Sequence, residues 1–167
     1  MATGKALEAL VTRSARRQGL EMRRNTPGMT IMGRDASNRA VGFAHNTGRL
    51  DFEGFLPTGQ HWTFDAKSAK GQSFPLRNIK RHQAVIVRKT TERKRMAFFL
   101  VEMTEAKGGP RYFALCWPTL QPFWDRKDYG GSQSIPLSVL ERECLEIPFD
   151  GRHLDLVDAL EQIAEVA

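Results

Sequence analysis

The chain has 167 residues, of which 41% are hydrophobic and 26% charged, and it carries a formal net charge of +6. This length and composition exclude a disordered chain and predict one domain, residues 1–167, with a full core. No apolar run approaches the ~20 residues of a membrane span, and the N-terminus has no signal-peptide pattern. A membrane protein is therefore excluded, and the cytoplasm is the expected location. The positive charge favours polyanions, including nucleic acid, through counterion release.

The first elements are predicted from apolar spacing. Residues 5–18 have apolar side chains at helical spacing, and Gly19 follows as a stop signal. Residues 20–24 predict a short strand. Residues 25–49 are rich in Gly, Asn, Thr and Ser, and only "MTIM" at 29–32 alternates. We therefore predict a long loop there, of the kind that is usually functional or projecting.

The second half of the chain follows a hairpin at 51–67. A helix is expected at about 76–89, and "MAFFLVEM" at 96–103 is a continuous apolar run typical of a central strand that is covered on both faces. The remaining predicted elements are a strand at 111–117, a short helix near 118–126, a loop over 130–140 and a helix over 152–165. This order predicts an α/β fold in which helices flank a mixed β-sheet.

The stretch "DFEGFLPTGQHWTFDAK" at 51–67 predicts the hairpin itself. Its loop is "PTG", and Gly59 stands where a three-residue loop needs a left-handed residue. In this register Phe52 pairs with Phe64. Alternation along both strands then separates a polar face from a core face. The predicted core face holds Leu50, Phe52, Trp62, Phe64 and Ala66.

The polar face of this hairpin gathers acids. Asp51 and Asp65 are expected directly opposite each other, with their β-carbons roughly 4.5–5.5 Å apart, and like charges in that arrangement destabilise a sheet. Mg²⁺ prefers oxygen ligands and is often held by one or two carboxylates. Lys67 follows on the same face and could hold an attacking water or stabilise a phosphate. The pattern favours a metal-dependent nuclease site. The alternative is a hairpin face whose charges are simply in water.

Three further residues have both a functional and an ordinary interpretation. Gln83 lies on the apolar stripe of its predicted helix, so it should face the sheet and need a polar partner there. That partner is either the acidic face or a loop carbonyl. Glu8 lies in the first turn of its helix, where the helix dipole alone would favour an acid. His82 is either structural or a phosphate contact.

With these residues in place, the sequence resembles the RecU family of Holliday junction resolvases, within the PD-(D/E)XK nuclease superfamily. The motifs run in order along most of the chain: "GKALE", "RRNTP", "DFEG", "FDAKS", "SFPLRNIKRHQ" and a late "SIP". The resemblance implies a restriction-endonuclease-like mixed sheet flanked by helices. It also implies that residues 25–49 form a projecting stalk, which enters the centre of a four-way junction.

The resemblance also implies roles for individual residues. Asp51 and Asp65 correspond to metal-binding acids, although the family often has glutamate at the second position. Lys67 corresponds to the catalytic lysine, Glu8 to a helix acid that completes the site, and Gln83 to a glutamine of the following helix. The expected DNA contacts are Arg23, Arg24, Arg77, Lys80, Arg81 and His82.

The resulting hypothesis is a Mg²⁺-dependent endonuclease, for which Mn²⁺ can substitute, that resolves four-way DNA junctions by symmetrical paired nicks in recombination and repair. A two-fold junction implies a homodimer, and a recombinase or branch-migration helicase is a further expected partner. Two alternatives stay open. One is another PD-(D/E)XK endonuclease, of nicking or restriction type, that acts on a different DNA structure. The other is a basic DNA-binding module without catalysis.

Overall fold

The computed structural model describes residues 3–25, 28–45 and 48–166. Its strands are β1 (Glu21–Arg24), β2 (Gly28–Arg34), β3 (Ala40–His45), β4 (Phe52–Phe55), β5 (His61–Ala69), β6 (Ser73–Pro75), β7 (Met96–Met103), β8 (Arg111–Cys116), β9 (Ser134–Pro136) and β10 (Leu145–Glu146). Six of them form the main sheet, in the order β1-β4-β5-β7-β8-β10. The central pair β5–β7 is parallel and the other pairs are antiparallel. The sheet is therefore mixed, as predicted.

Helices cover both faces of this sheet. They are α1 (Thr3–Arg17), α2 (Arg81–Glu92), α3 (Trp117–Arg126), α4 (Leu137–Glu143) and α5 (Leu156–Val166), with short 3₁₀ turns at Leu76–Asn78 and Lys127–Tyr129. Apolar residues of α1 and α5 join one buried cluster. Those of α2, α3 and α4 join a second cluster on the opposite face. The restriction-endonuclease-like fold class, a mixed sheet flanked by helices, is thereby confirmed.

Strand β7 shows why the sheet needs cover on both sides. Phe98 and Leu100 belong to the α1 cluster, whereas Phe99 and Val101 belong to the α2 cluster. Successive side chains of a strand point to opposite faces, so a continuous apolar run requires an apolar layer on each face. The central position predicted for this strand is confirmed.

The predicted hairpin register is also confirmed. Phe52 pairs with Phe64, and Gly54 pairs with Trp62. Gly59 has φ of 82°, and its N–H donates to the carbonyl of Leu56. One predicted member of the core face differs, because Leu50 packs in the α2 cluster whereas Phe52 packs in the α1 cluster. Regular alternation therefore ends before β4 begins.

The long loop predicted for 25–49 is wrong as a description of the backbone. Strands β2 and β3 pair antiparallel with each other as a separate two-stranded sheet, which we call the ribbon, with a register shift between Ile31 and Gly33. The shift interrupts the alternation of side chains by which a strand is predicted from sequence. The high content of Gly and Asn is also typical of loops. Residues 26–27 and 46–47 of the predicted stalk lie outside the described residues.

Three element boundaries differ from prediction. The helix expected at 76–89 is divided into a 3₁₀ turn and α2, and the loop expected at 130–140 contains β9 and the start of α4. The last helix begins at Leu156, where its first turn is capped both locally and from a distance. Asp155 Oδ1 accepts the N–H of Asp158, and Gln18 Oε1 accepts the N–H groups of Leu156 and Val157. A cap supplied by α1 cannot be found from local sequence.

None of the helices in the described part of the chain combines the length and apolar character needed to cross a bilayer. Cys116 and Cys144 are free and half-buried. Burial raises the pKa of the Cys116 thiol to about 11 and that of Cys144 to about 12, so both thiols stay protonated at neutral pH. This agrees with their predicted use as small apolar residues.

Candidate active site

Asp65 is the centre of the candidate site. It lies in the middle of β5 on the face covered by α2, and its side chain is 1% exposed. Gln83 Nε2 donates to Asp65 Oδ2 over 2.6 Å. The Lys67 ammonium lies 2.6 Å from Oδ1, as an ion pair outside the angular range of a hydrogen bond. A buried carboxylate needs such partners, because burial without them costs several kcal/mol.

Gln83 joins two elements at this point. Its Nε2 reaches Asp65, while its Oε1 accepts the backbone N–H of Lys80, at the first turn of α2, over 3.0 Å. Both ends of the amide are therefore satisfied, and its orientation is fixed by the helix it caps. Of the two interpretations from sequence, the structure shows the contact with the acidic face.

Asp51 lies one residue before β4, next to the middle of β5. Its Oδ2 accepts the N–H of Ala66 over 3.4 Å, and its charge contributes to the pKa shift of Asp65. The structure thus brings the two acids together, as the hairpin register predicts. The backbones of the two acids are held differently. Asp65 is paired with Phe99 of β7, whereas Asp51 precedes the first pair of β4 with β5.

The protonation of Asp65 reflects these surroundings. Burial raises the pKa of the Asp65 carboxyl to about 6. The Lys67 ammonium opposes this rise, and the Asp51 carboxylate adds to it. Desolvation and a like charge both disfavour ionisation. The site is therefore one in which a bound cation would relieve an existing electrostatic cost.

The donor set fits a magnesium ion. Two carboxylates lie close together, one of them buried, and both supply the oxygen ligands that Mg²⁺ prefers. Within the described residues, no group of three or more His, Cys, Asp or Glu side chains is arranged to hold a metal. Mg²⁺ keeps several waters and commonly uses only one or two protein carboxylates, unlike a structural zinc ion. Asp51 and Asp65 would be its protein ligands.

A comparison with known protein families identifies the family of this chain. A family model described as "RecU: Recombination protein U" matches residues 3–162. The chain belongs to the RecU family. Every residue of the candidate site, from Glu8 to Gln83, lies within the matched region.

Several curated relatives are named Holliday junction resolvase RecU, and three of them, from different organisms, illustrate the similarity. The protein of Oceanobacillus iheyensis is 30% identical over 115 residues, which cover 68% of this chain and 57% of the relative. That of Lactiplantibacillus plantarum is 28% identical over 109 residues, covering 64% and 51%. That of Pediococcus pentosaceus is 28% identical over 117 residues, covering 70% and 56%. The matched region spans little more than half the length of each relative.

Glu8 lies in the second turn of α1 and not in the first turn as predicted, because the helix begins at Thr3. It forms an ion pair with Arg24 of β1, and its side chain is 23% exposed. Arg24 pairs in register with Phe52, so it lies beside the start of β4, one residue from Asp51. The structure thus joins a predicted site acid to a predicted DNA contact, and no described bond joins Glu8 to Asp51 or Asp65.

The other predicted DNA contacts lie mainly at the start of α2. Four of them are exposed there: Arg77, Lys80, Arg81 and His82. The pKa of His82 is lowered by desolvation and by the charges of Lys80 and Lys67, which places this group beside the candidate site. The N-terminus of a 12-residue helix adds partial positive charge at the same place. Arg23, on β1, is also exposed.

Two residues at the site were not identified from the sequence. Asn25 donates from its side chain and its backbone to the segment that contains Asp51. Ser68 follows Lys67 on β5, and its buried Oγ has no hydrogen-bond partner. The "RRN" sequence before the ribbon contains Asn25 but gives no spacing signal, because its partners are 25 and 26 residues away.

Proposed function

We propose that this RecU-family chain is a metal-dependent endonuclease that nicks four-way DNA junctions. The observation that carries the proposal is the buried Asp65, which lies between Lys67 and Gln83, beside Asp51 and at the start of the basic helix α2. Curated relatives named Holliday junction resolvases share this region of the chain. The alternative of a DNA-binding module without catalysis gives no reason to bury an acid with a raised pKa.

Each residue contributes a separate part of the proposed reaction. Asp51 and Asp65 would hold Mg²⁺ or Mn²⁺, and the bound ion would supply charge neutralisation at the scissile phosphate and a lowered pKa for an attacking water. Gln83 fixes the orientation of the Asp65 carboxylate. Lys67 donates to the oxygen atoms on which charge develops. Glu8, released from Arg24, completes the acidic group.

The basic residues position the substrate. The exposed cations near α2 and β1 bind backbone phosphates without reading base sequence, which suits recognition of DNA shape. The ribbon is the proposed stalk that enters the junction centre. Because a four-way junction is two-fold symmetric, paired nicks require two sites related by a two-fold axis, and we therefore propose a homodimer. It acts with DNA in the cytoplasm, in recombination and repair, alongside a recombinase or branch-migration helicase.

A nicking assay on synthetic four-way junctions tests this function. We expect Mg²⁺-dependent nicks at symmetrical positions, and a loss of about 10²-fold or more for Asp65→Ala or Lys67→Ala. Matched controls are Asp128→Ala and Lys70→Ala, which remove exposed residues of the same types. Junction binding in EDTA should persist in all four variants. Cleavage by Asp65→Ala at the wild-type rate would contradict the site.

Competition with unlabelled DNA tests the substrate. A labelled junction should be protected far better by unlabelled junction than by linear duplex of equal length. If linear duplex competes equally, the alternative of a PD-(D/E)XK endonuclease with a different DNA substrate is favoured. If no metal restores cleavage after EDTA treatment, the DNA-binding module is favoured.

A further inference from the structure

Asn25 connects the end of β1 to the segment that contains Asp51. Its side-chain Nδ2 donates to the carbonyl of Leu50 over 3.0 Å. Its backbone N–H donates to the carbonyl of Asp51 over 2.8 Å. The residue is partly buried. These two bonds hold two consecutive peptide groups of the segment that precedes β4.

This segment needs such support because it precedes the first residue pair of β4 with β5. The pairing of β4 with β5 begins at Phe52. Leu50 is buried in the α2 cluster and Phe52 in the α1 cluster. In a regular strand, residues i and i+2 point to the same face, so the backbone must turn at Asp51. Continuing the register of β1 with β4 by one pair places Asn25 opposite Asp51, so the Asn25 N–H supports the Asp51 carbonyl. The Leu50 carbonyl lies beyond the bend and accepts instead from the Asn25 side chain.

The conformation at Asp51 determines where its carboxylate lies. Asp51 Oδ2 reaches the N–H of Ala66, the residue next to Asp65. A rotation of the Asp51 backbone would move this carboxylate away from Ala66 and from Asp65 together. The backbone position thus controls the separation of the two acids.

We infer that Asn25 is a positioning residue, which fixes the backbone at Leu50 and Asp51 and so places the Asp51 carboxylate beside Asp65. Its part in metal binding depends on the function proposed above, whereas its structural part does not. Asn25 also immediately precedes the segment that leads into the ribbon.

Amide hydrogen exchange of metal-free protein tests the structural part. Asn25→Ala removes the donor to Leu50, and Asn25→Asp removes it with little change of shape. Loss of a hydrogen bond worth about 1 kcal/mol predicts exchange at Ala66 about fivefold faster in both variants. Phe99, in the neighbouring central strand, should be unchanged. The control Gln133→Ala removes a side-chain amide that also donates to backbone carbonyls, of Lys127 and Gly131. Unchanged exchange at Ala66 in both variants would overturn the inference.

Titration with Mn²⁺ in the absence of DNA, followed by electron paramagnetic resonance, tests the consequence. Asn25→Ala should bind Mn²⁺ about five- to tenfold more weakly than wild type, as loss of about 1 kcal/mol predicts, and Gln133→Ala should match wild type. Equal affinity in Asn25→Ala and wild type would overturn the inference. If wild type itself binds no Mn²⁺, the proposed function fails, and the exchange measurement still decides whether Asn25 positions Asp51.

Discussion

Two β-hairpins of this chain, β4–β5 and the ribbon, are stabilised in different ways. The β4–β5 hairpin lies within the six-stranded sheet, and Phe52, Trp62 and Phe64 are buried in the α1 cluster. The ribbon of β2 and β3 is a separate two-stranded sheet with a shifted register. A two-stranded hairpin alone is marginally stable in water. The first hairpin can therefore hold the candidate site in a fixed geometry, whereas the second depends less on the main sheet and is the proposed stalk.

The largest expected effect is on folding, in the hairpin within the sheet. Phe64 is fully buried, and its ring centroid lies 5.0 Å from that of Phe98. Phe64→Ala should lower the free energy of unfolding by about 3–5 kcal/mol, because it leaves a cavity. Phe55→Ala, at a residue of the same hairpin that is 47% exposed, is the matched control and should cost much less. Urea denaturation measures both, and equal losses would contradict the view that burial in the α1 cluster stabilises this hairpin.

A smaller effect on the free energy of unfolding is expected from substitution of Asp65. Asp65→Asn should raise the free energy of unfolding of metal-free protein at pH 8 by about 2–3 kcal/mol, since the pKa of about 6 in the folded protein exceeds the ordinary aspartate value of 3.8. The raised pKa makes the wild-type protein progressively less stable as pH rises from about 4 to 6. At pH 4 the variant and wild type should therefore be nearly equal.

Urea denaturation in EDTA at pH 4 and pH 8 measures this effect, with Asp128→Asn as a control at an exposed acid. The same Asp65→Asn variant should lose Mg²⁺-dependent nicking. Destabilisation at pH 8 would show that the carboxylate contributes more to folding through Lys67 than it costs by burial.

Arg24 lies between the two regions, at the end of β1. Its ion pair with Glu8 is partly exposed, and such pairs contribute about 0–1 kcal/mol. Arg24→Gln should therefore change the free energy of unfolding by less than about 1 kcal/mol. Junction binding should weaken, and the slope of log affinity against log salt should fall by about one. An unchanged slope would mean that Arg24 contacts no phosphate. Arg142→Gln, at an exposed arginine of α4, is the control.

The smallest effect on folding is expected at the tip of the ribbon. Asp35 Oδ1 accepts the N–H groups of Ser37 and Arg39. Asp35→Ala should change the free energy of unfolding by less than about 0.5 kcal/mol, because the tip is exposed and outside the main sheet. If the ribbon is the stalk, the preference for junction over linear duplex should fall several-fold. Asp125→Ala, at an exposed acid of α3, should leave this preference unchanged.

Local patterns predicted the parts of the fold that depend on nearby residues. The alternation of 51–67 gave the register of β4 and β5, and the apolar run at 96–103 gave a strand covered on both faces. The ribbon was missed because a register shift and a high content of Gly and Asn hide its alternation. The start of α5 lies at Leu156 rather than 152, and part of its cap comes from Gln18 of α1, which local sequence does not show.

In the candidate site, too, local contacts were predicted from the sequence and distant contacts were not. The sequence by itself determined that Asp65 and Lys67 share one face of a strand and that Gln83 faces the sheet, because side-chain periodicity is a local property. Only the tertiary structure decided that Gln83 caps α2 while holding Asp65, that Glu8 pairs with Arg24, and that Asn25 supports Asp51. These contacts join elements distant along the chain, and their geometry depends on how the helices and strands pack together.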